Sequence, residues 1–258
     1  MKPILALDPA PVTAVLLDID DTLTTEGKLT AVAYASLERL QRAGKRVVPV
    51  TGRPAGWCDH IARMWPVDAV VGENGAFYFH YADGKLHKRF HDDAATRTQK
   101  RARLNDLQQA ILAAVPGCAL ASDQAYRETD LAIDFCEDVP PLPLEAAERI
   151  ATMMKEAGLT AKLSSIHVNG WLGDYDKLGM TRRLFAELWK QQLSGQEDSI
   201  VFAGDSPNDA PMFSFFDNSV GVANVTRFAM PSWPRYVTRS PSGAGFAELA
   251  AHLLRDTR

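Results

Sequence analysis

Cysteine is scarce in this chain, with three residues, Cys58, Cys118 and Cys136, among 258. Their wide spacing offers no paired thiols for a structural zinc and no disulfide framework. They read as reduced, mostly buried thiols of a cytoplasmic protein. Long apolar runs are also missing, and none approaches the length that spans a bilayer. The opening Met-Lys-Pro-Ile-Leu-Ala-Leu-Asp-Pro is interrupted by proline and aspartate too early for a signal peptide. Excess charge is absent too: a net charge of −4 and a pI near 5.9 give no general attraction to nucleic acid or anionic membrane. The basic stretch 85–103 has no interleaved aromatics and reads as a solvated helix face. His80, His87 and His91 lack the spacing of a metal site. There is no internal repeat and no low-complexity tract, and nothing indicates the oligomeric state.

What remains is an ordinary globular composition, 46% hydrophobic and 23% charged, with ample material for a core. The length exceeds the usual size of one core and suggests two modules. The most informative segment is Val-Thr-Ala-Val-Leu-Leu followed by Asp18-Ile-Asp20-Asp21-Thr22. An apolar, β-branched run ending on carboxylates at i and i+2 reads as a buried strand that delivers both acids at its C-terminal edge. Open α/β sheets build their sites at such edges. Asp18 there is placed to attack an electrophile and Asp20 to pass a proton to a leaving group. Taken alone, the pair reads equally well as turn caps, and Asp21 reads as solvent-facing or as a cap.

Three further segments shift the balance towards chemistry. Lys45-Arg-Val-Val-Pro-Val-Thr51-Gly52-Arg53 is a second strand, ending on a hydroxyl and a glycine that lets the backbone approach a phosphoryl oxygen. Lys177 stands at the expected start of a helix. Ser199-Ile-Val-Phe-Ala-Gly204-Asp205-Ser-Pro-Asn208-Asp209 is a strand running into an acidic loop, where Pro207 is placed to open a helix.

In this order the four segments resemble the four motifs of the haloacid dehalogenase superfamily. They are most similar to its phosphatases with a large α/β cap inserted after the third core strand (subfamily IIB, Cof-like). Gly72-Glu-Asn-Gly-Ala76 resembles the Asn-Gly-Ala turn of that subgroup. The likeness rests on motifs at both ends of the chain, and on position and size alone in the middle. It implies that Asp18 is the phosphorylated nucleophile and Asp20 the general acid/base. Thr51 and Lys177 would hold the transferring phosphoryl group with Gly52 and Asn208 beside it, and Asp205 and Asp209, together with Asp18 and Asp20, would hold Mg²⁺. The chemistry agrees, because a phosphate ester approaching Asp18, Asp205 and Asp209 needs a hard divalent cation and a lysine to offset repulsion. An acid at position 20 also favours monoesters, whose alkoxide leaving groups need protonation.

The expected architecture is a Rossmann-like parallel sheet with helices on both faces, built from 1–82 and 175–258, with an α/β cap over about 83–174. Expected elements include a helix at 30–43 carrying Val32, Leu37 and Leu40, and a hairpin turning at Ala82-Asp83-Gly84-Lys85. Further strands are expected at Thr160–Ser165 and Ile166–Asn169, and helices at 178–193 and 208–216. The cap should set selectivity. His167, Asn169 and Trp171 alternate along one strand and form either a face for a polyol or an ordinary half-exposed strand with Trp171 packed inward. Arg127 reads as a grip for a second anionic group or as a surface residue, and Arg53 as a substrate contact or a loop brace. The function implied is hydrolysis of a small phosphorylated metabolite, foremost a sugar phosphate. A hexose phosphomutase, a phosphoglycolate-type phosphatase and a non-catalytic binding module are the alternatives.

Overall fold

The computed structural model describes residues 1–164, 166–227 and 229–255. The first part holds β1 (Lys2–Pro3), β2 (Ala14–Leu17), α1 (Ala31–Arg42), β3 (Arg46–Pro49), α2 (Ala55–Met64) and β4 (Val70–Gly72). A hairpin, β5 (Phe77–Ala82) and β6 (Lys85–Phe90), leads to α3 (Ala94–Ala114) and β7 (Ala119–Leu120). There follow β8 (Asp130–Asp134), α4 (Leu144–Glu156), β9 (Thr160–Leu163) and β10 (His167–Trp171). The chain closes with α5 (Lys177–Leu188), β11 (Ile200–Gly204), α6 (Ala210–Phe215), β12 (Asn218–Gly221), β13 (Tyr236–Val237) and α7 (Ser242–Leu253).

Six strands in the order β1-β13-β12-β11-β2-β3 form a parallel sheet. β2 lies between β11 and β3, and its side chains alternate between two apolar layers. Val15 and Leu17 meet Leu37, Phe246 and Leu249 on one face, while Ala14 and Leu16 meet Met180, Phe185 and Phe213 on the other. A strand covered on both faces must be apolar throughout, which accounts for the unbroken run before Asp18. Because the strands run in parallel with Leu17 opposite both Ala203 and Pro49, the loops after β2, β3 and β11 emerge side by side.

Beyond β3 a parallel bridge, Val50 to Val71, leads to the antiparallel sheet β4-β5-β6. A separate antiparallel sheet, β7-β8-β10-β9, carries α3 and α4 on one face through Leu104, Ile111, Ile150 and Met154 against Leu131, Ile133 and Val168. By the period-two rule its other face carries Asp130, His167, Asn169 and Trp171, all of them buried. No helix among the described residues is long and apolar enough to cross a membrane.

Several local expectations need correction. The helix expected over 178–193 begins at Lys177 and stops at Leu188, since Lys190 adopts a left-handed φ of 56° and breaks the ladder. Val32 is 54% exposed, and Ala33, Leu37 and Leu40 form the buried face of α1 instead. Of the cysteines only Cys58 is buried; Cys118 and Cys136 are half-buried. The expected helix 208–216 opens as a 3-10 turn, Pro207–Asp209, before α6. The strand expected to reach Ser165 ends at Leu163, and Ser165 lies outside the described residues. β1 and β7, at two residues each, are too short to carry a sequence pattern.

Candidate active site

Asp18 leaves β2 buried, its N–H donating to Ala203 O at 2.8 Å, so the nucleophile candidate is fixed to the neighbouring strand β11. β11 ends at Gly204, where any side chain would collide: a Cβ would lie 2.4 Å from Asp209 Oδ2. That closeness lets Asp209 Oδ2 accept from the backbone N–H groups of Asp205 and Ser206 at 3.0 and 3.3 Å, folding the acidic loop back on itself. At the other side Asp176 caps α5 by accepting from Gly179 N at 2.7 Å. The start of α5 packs on Gly75, which has a φ of +108° and where a Cβ would lie 2.0 Å from Asp176 O. The turn Glu73–Gly75 is therefore the seat that positions Lys177.

Lys177 Nζ reaches Asp18 Oδ1 at 2.8 Å and Asp209 Oδ1 at 2.7 Å. Oxygens of Asp18, Asp205 and Asp209 lie within 4.8 Å of one another. Asp205 also accepts from Thr22 Oγ1 at 3.1 Å and from Asn224 Nδ2 at 3.1 Å. Burial pushes Asp18 up to about 7, Lys177 pulls it down, and Asp209 and Asp20 push it up again. Burial likewise raises Asp205, reinforced by Asp18 and Asp209. Burial alone would lower Lys177, but Asp18 and Asp209 outweigh it and raise its pKa. When all three are ionised, these buried carboxylates beside one ammonium leave two negative charges in excess. A hard, all-oxygen donor set short of two positive charges fits Mg²⁺. Asp209 already spends both oxygens on Lys177 and the loop, so Asp18 and Asp205 are the carboxylates better placed to meet an ion. His80 and His87 only touch ring to ring across the hairpin, their centroids 4.6 Å apart, and take no part in this cluster.

The loop after β3 brings the third segment alongside. Thr51 is buried, and its Oγ1 accepts from Arg53 N at 3.1 Å, a tight turn that leaves Gly52 lining the cavity. Arg53 grips Asp20 from two nitrogens: Nη2 to Oδ1 at 2.8 Å, and Nε to both oxygens at 3.0 Å. Its guanidinium lies over the Trp57 ring at 4.4 Å and reaches the other module at Glu137, 3.0 Å away, and Asp123, 3.5 Å away. Asp20 therefore meets Arg53 through its carboxylate and stands apart from the acidic cluster.

Arg127 is a buried strut. It donates to Asp123 at 2.8 and 3.0 Å, to Asp130 at 3.0 and 3.1 Å, and to Gly52 O at 3.0 Å. Glu73 answers from the core side, accepting from the N–H groups of Ala55, Glu128, Thr129 and Asp130 and from the Thr129 hydroxyl. Burial and the nearby Asp130 push Glu73 up to about 7 against the pull of Arg127. His167 Nε2 stands 2.8 Å from Glu137 Oε2, and Asn169 Nδ2 donates to Asp130 Oδ2 at 3.1 Å. The His167 imidazole, together with Arg53, holds the Glu137 carboxyl down at about 2. Asn208 accepts from Ser206 Oγ at 2.7 Å at the rim.

The structure thus gathers Asp18, Asp20, Gly52, Arg53, Arg127, His167, Asn169 and Asn208 around one cavity of about 20 Å³, with Thr51, Lys177, Asp205 and Asp209 directly beneath. Trp171 stands apart. It is 1% exposed, stacks on Tyr175, donates its Nε1 to Tyr175 O, and borders a different cavity. Sequence reasoning passed over Glu73, Asp123, Glu137 and Asn224. The i, i+4 spacing of Asp123 and Arg127 was a usable signal; the other three lie in irregular segments with no pattern.

A parallel sheet with a carboxylate nucleophile candidate, a buried lysine and an acidic loop at one edge defines a phosphoryl-transfer enzyme of the α/β class. The sequence profile of the haloacid dehalogenase-like hydrolases matches residues 15–129, and together with the phosphatase relatives this supports hydrolysis of small phosphate esters. The chain is 28% identical over 237 residues to a phosphoglycolate phosphatase of Pyrobaculum neutrophilum, covering 90% of this chain and 92% of the relative. Its fold is similar to the C-terminal domain of a C. albicans trehalose-6-phosphate phosphatase, with a TM-score of 0.72, 13% identity and 98% of each chain covered. It is also similar to a Synechocystis sucrose-phosphatase solved with sucrose and phosphate, with a TM-score of 0.62, 19% identity, and 93% and 97% covered.

Proposed function

We propose that this phosphatase is Mg²⁺-dependent and acts on a small phosphate monoester with an uncharged, hydroxyl-rich leaving group, foremost a sugar phosphate. The observation that carries the reading is the ceiling over Asp20. Arg53 and Arg127 are each already matched by carboxylates, Asp20, Asp123 and Glu137 for the first, Asp123 and Asp130 for the second. Such a lining offers acceptors and an amide to hydroxyl groups and, among the described residues, leaves neither arginine unmatched for a carboxylate. The cavity of about 20 Å³ holds one water, so the modules must part to admit a sugar. In this reading residues 83–174 form the module that sets selectivity, except that the pairing of β6 along its length with β5 supports counting β6 with the core. Few and widely spaced cysteines, Cys58, Cys118 and Cys136, suit a reducing compartment such as the cytoplasm.

In this reading Asp18 attacks phosphorus while Asp20 protonates the departing oxygen, and Asp20 then takes a proton from the water that hydrolyses the aspartyl phosphate. Lys177 holds Asp18 in line and offers its remaining N–H to a phosphoryl oxygen, with Thr51 and the Gly52 backbone beside it. Mg²⁺ bound at Asp18 and Asp205 would offset the charge of the phosphoryl group and orient it. A second reading, hydrolysis of phosphoglycolate, is favoured by the name of the Pyrobaculum relative. Phosphate release measured with Mg²⁺ over phosphorylated sugars, polyols and phosphoglycolate separates the two. A clear preference for phosphoglycolate would sink the sugar reading, and no release from any ester would sink both.

A further inference from the structure

The selectivity proposed above leaves open which residue enforces it. Glu137 sits in a turn whose shape is set by Asp134. That carboxylate accepts from Cys136 N and Glu137 N at 2.8 and 2.7 Å, and from Asp138 N at 2.8 Å. The turn delivers Glu137 between two groups that line the catalytic cavity, Arg53 at 3.0 Å and His167 at 2.8 Å. Glu137 itself stands behind them, so whatever it does to a substrate it does through them.

Two consequences follow from this placement. Without Glu137, the guanidinium of Arg53 would keep Asp20 and the more distant Asp123, and one edge of its fork would be open to an anion entering the cavity. With Glu137 in place, that edge is filled, and a full negative charge stands just behind the wall that faces the leaving group. His167 Nε2 stands 2.8 Å from Glu137 without a hydrogen bond between them, so a substrate carboxylate approaching that imidazole would also meet the charge of Glu137.

We infer that Glu137 is the specificity-determining residue of the leaving-group pocket: by occupying Arg53 and setting its charge beside His167 it turns away anionic leaving groups and favours neutral ones. The inference rests on the phosphatase reading of the site and deepens its choice of substrate. Glu137 is a positioning residue, and its signature is a change in the ratio between two substrates. Loss of a structural brace would lower both activities in parallel.

The test uses a matched pair, 2-hydroxyethyl phosphate and 2-phosphoglycolate, which differ only in a hydroxymethyl group replaced by a carboxylate. kcat/KM for each is measured with Mg²⁺ in the wild type, Glu137→Gln and Glu137→Asp, with a thermal melt of each variant. Glu137→Gln should raise the phosphoglycolate to hydroxyethyl phosphate ratio by roughly ten- to a hundredfold, the size expected from removing a like charge a few ångströms away in a partly dehydrated site. Glu137→Asp keeps the charge and should keep the wild-type ratio even if both rates fall. A ratio in folded Glu137→Gln within about twofold of wild type, or an equal shift in Glu137→Asp, overturns the inference. A wild type that itself prefers phosphoglycolate refutes the sugar reading, while the shift on Glu137→Gln still reports on Glu137.

Discussion

Replacing Arg127 with leucine separates its two sequence readings, substrate grip and surface residue, from the strut found in the structure. The change removes five donor contacts, leaves Asp130 and Glu73 without a guanidinium, and leaves Asp123 with only the longer contact to Arg53 at 3.5 Å. Removing one partner of a buried ion pair typically costs about 3–5 kcal/mol, because the stranded charge has lost its water as well as its partner. In a chain of this size about 1 kcal/mol moves the melting temperature by roughly 2–4 °C, so a fall of about 6–20 °C is expected. Because Arg127 also holds Gly52 O, activity should fall to a similar degree for every substrate, nitrophenyl phosphate included. The assay is a thermal melt with kcat/KM for two unrelated esters. Arg127→Lys should fall between, keeping the charge without the fork. Adding Asp123→Asn to Arg127→Leu should recover part of the lost stability, since it removes a buried carboxylate left with only the distant Arg53. A melt within about 2 °C of wild type, with KM raised only for substrates bearing a second anionic group, would refute the strut and restore the grip.

Other outcomes follow from the same geometry. After EDTA stripping, Mg²⁺ should restore turnover and raise the melting temperature, whereas Ca²⁺ should restore little turnover, because its looser coordination does not hold Asp18 by a single oxygen; equal rates with both ions would count against the arrangement. Asp20→Asn should slow a sugar phosphate by ~10²–10⁴-fold and nitrophenyl phosphate much less, since phenolate leaves unaided; equal slowing of both would remove Asp20 from the acid role.

The parallel core was legible because its strands are buried on both faces and end abruptly on polar residues. The run before Asp18 and the run before Asp205 each announce a strand, and the parallel register then brings the two ends together. Lys177 was legible for a local reason as well, a helix start marked by Asp176. The second layer of the site was not. Glu73 lies in a turn with a left-handed φ of 43°, and its partners are backbone N–H groups of a segment some fifty residues away, which no periodicity encodes. Glu137 follows a strand as one acid among several, and only the docking of two modules gives it Arg53 and His167. For Trp171 alternation left two readings open, a substrate face or inward packing, and the packed one agrees with the structure, because the face shared with His167 and Asn169 runs from the cavity into the core beside Tyr175. Face can be read from a sequence, whereas what the face meets depends on tertiary packing.

The central claim is that Asp18 becomes covalently phosphorylated. Its most direct test is an acid quench of Asp20→Asn with Mg²⁺ and an activated ester such as nitrophenyl phosphate, followed by mass analysis of the peptide that carries Asp18. With Asp20 unable to activate water, the account predicts a phosphate adduct on Asp18, absent when Asp18 is itself changed to Asn. Steady phosphate release by Asp20→Asn, with no adduct on that peptide at any time of quench, would contradict it.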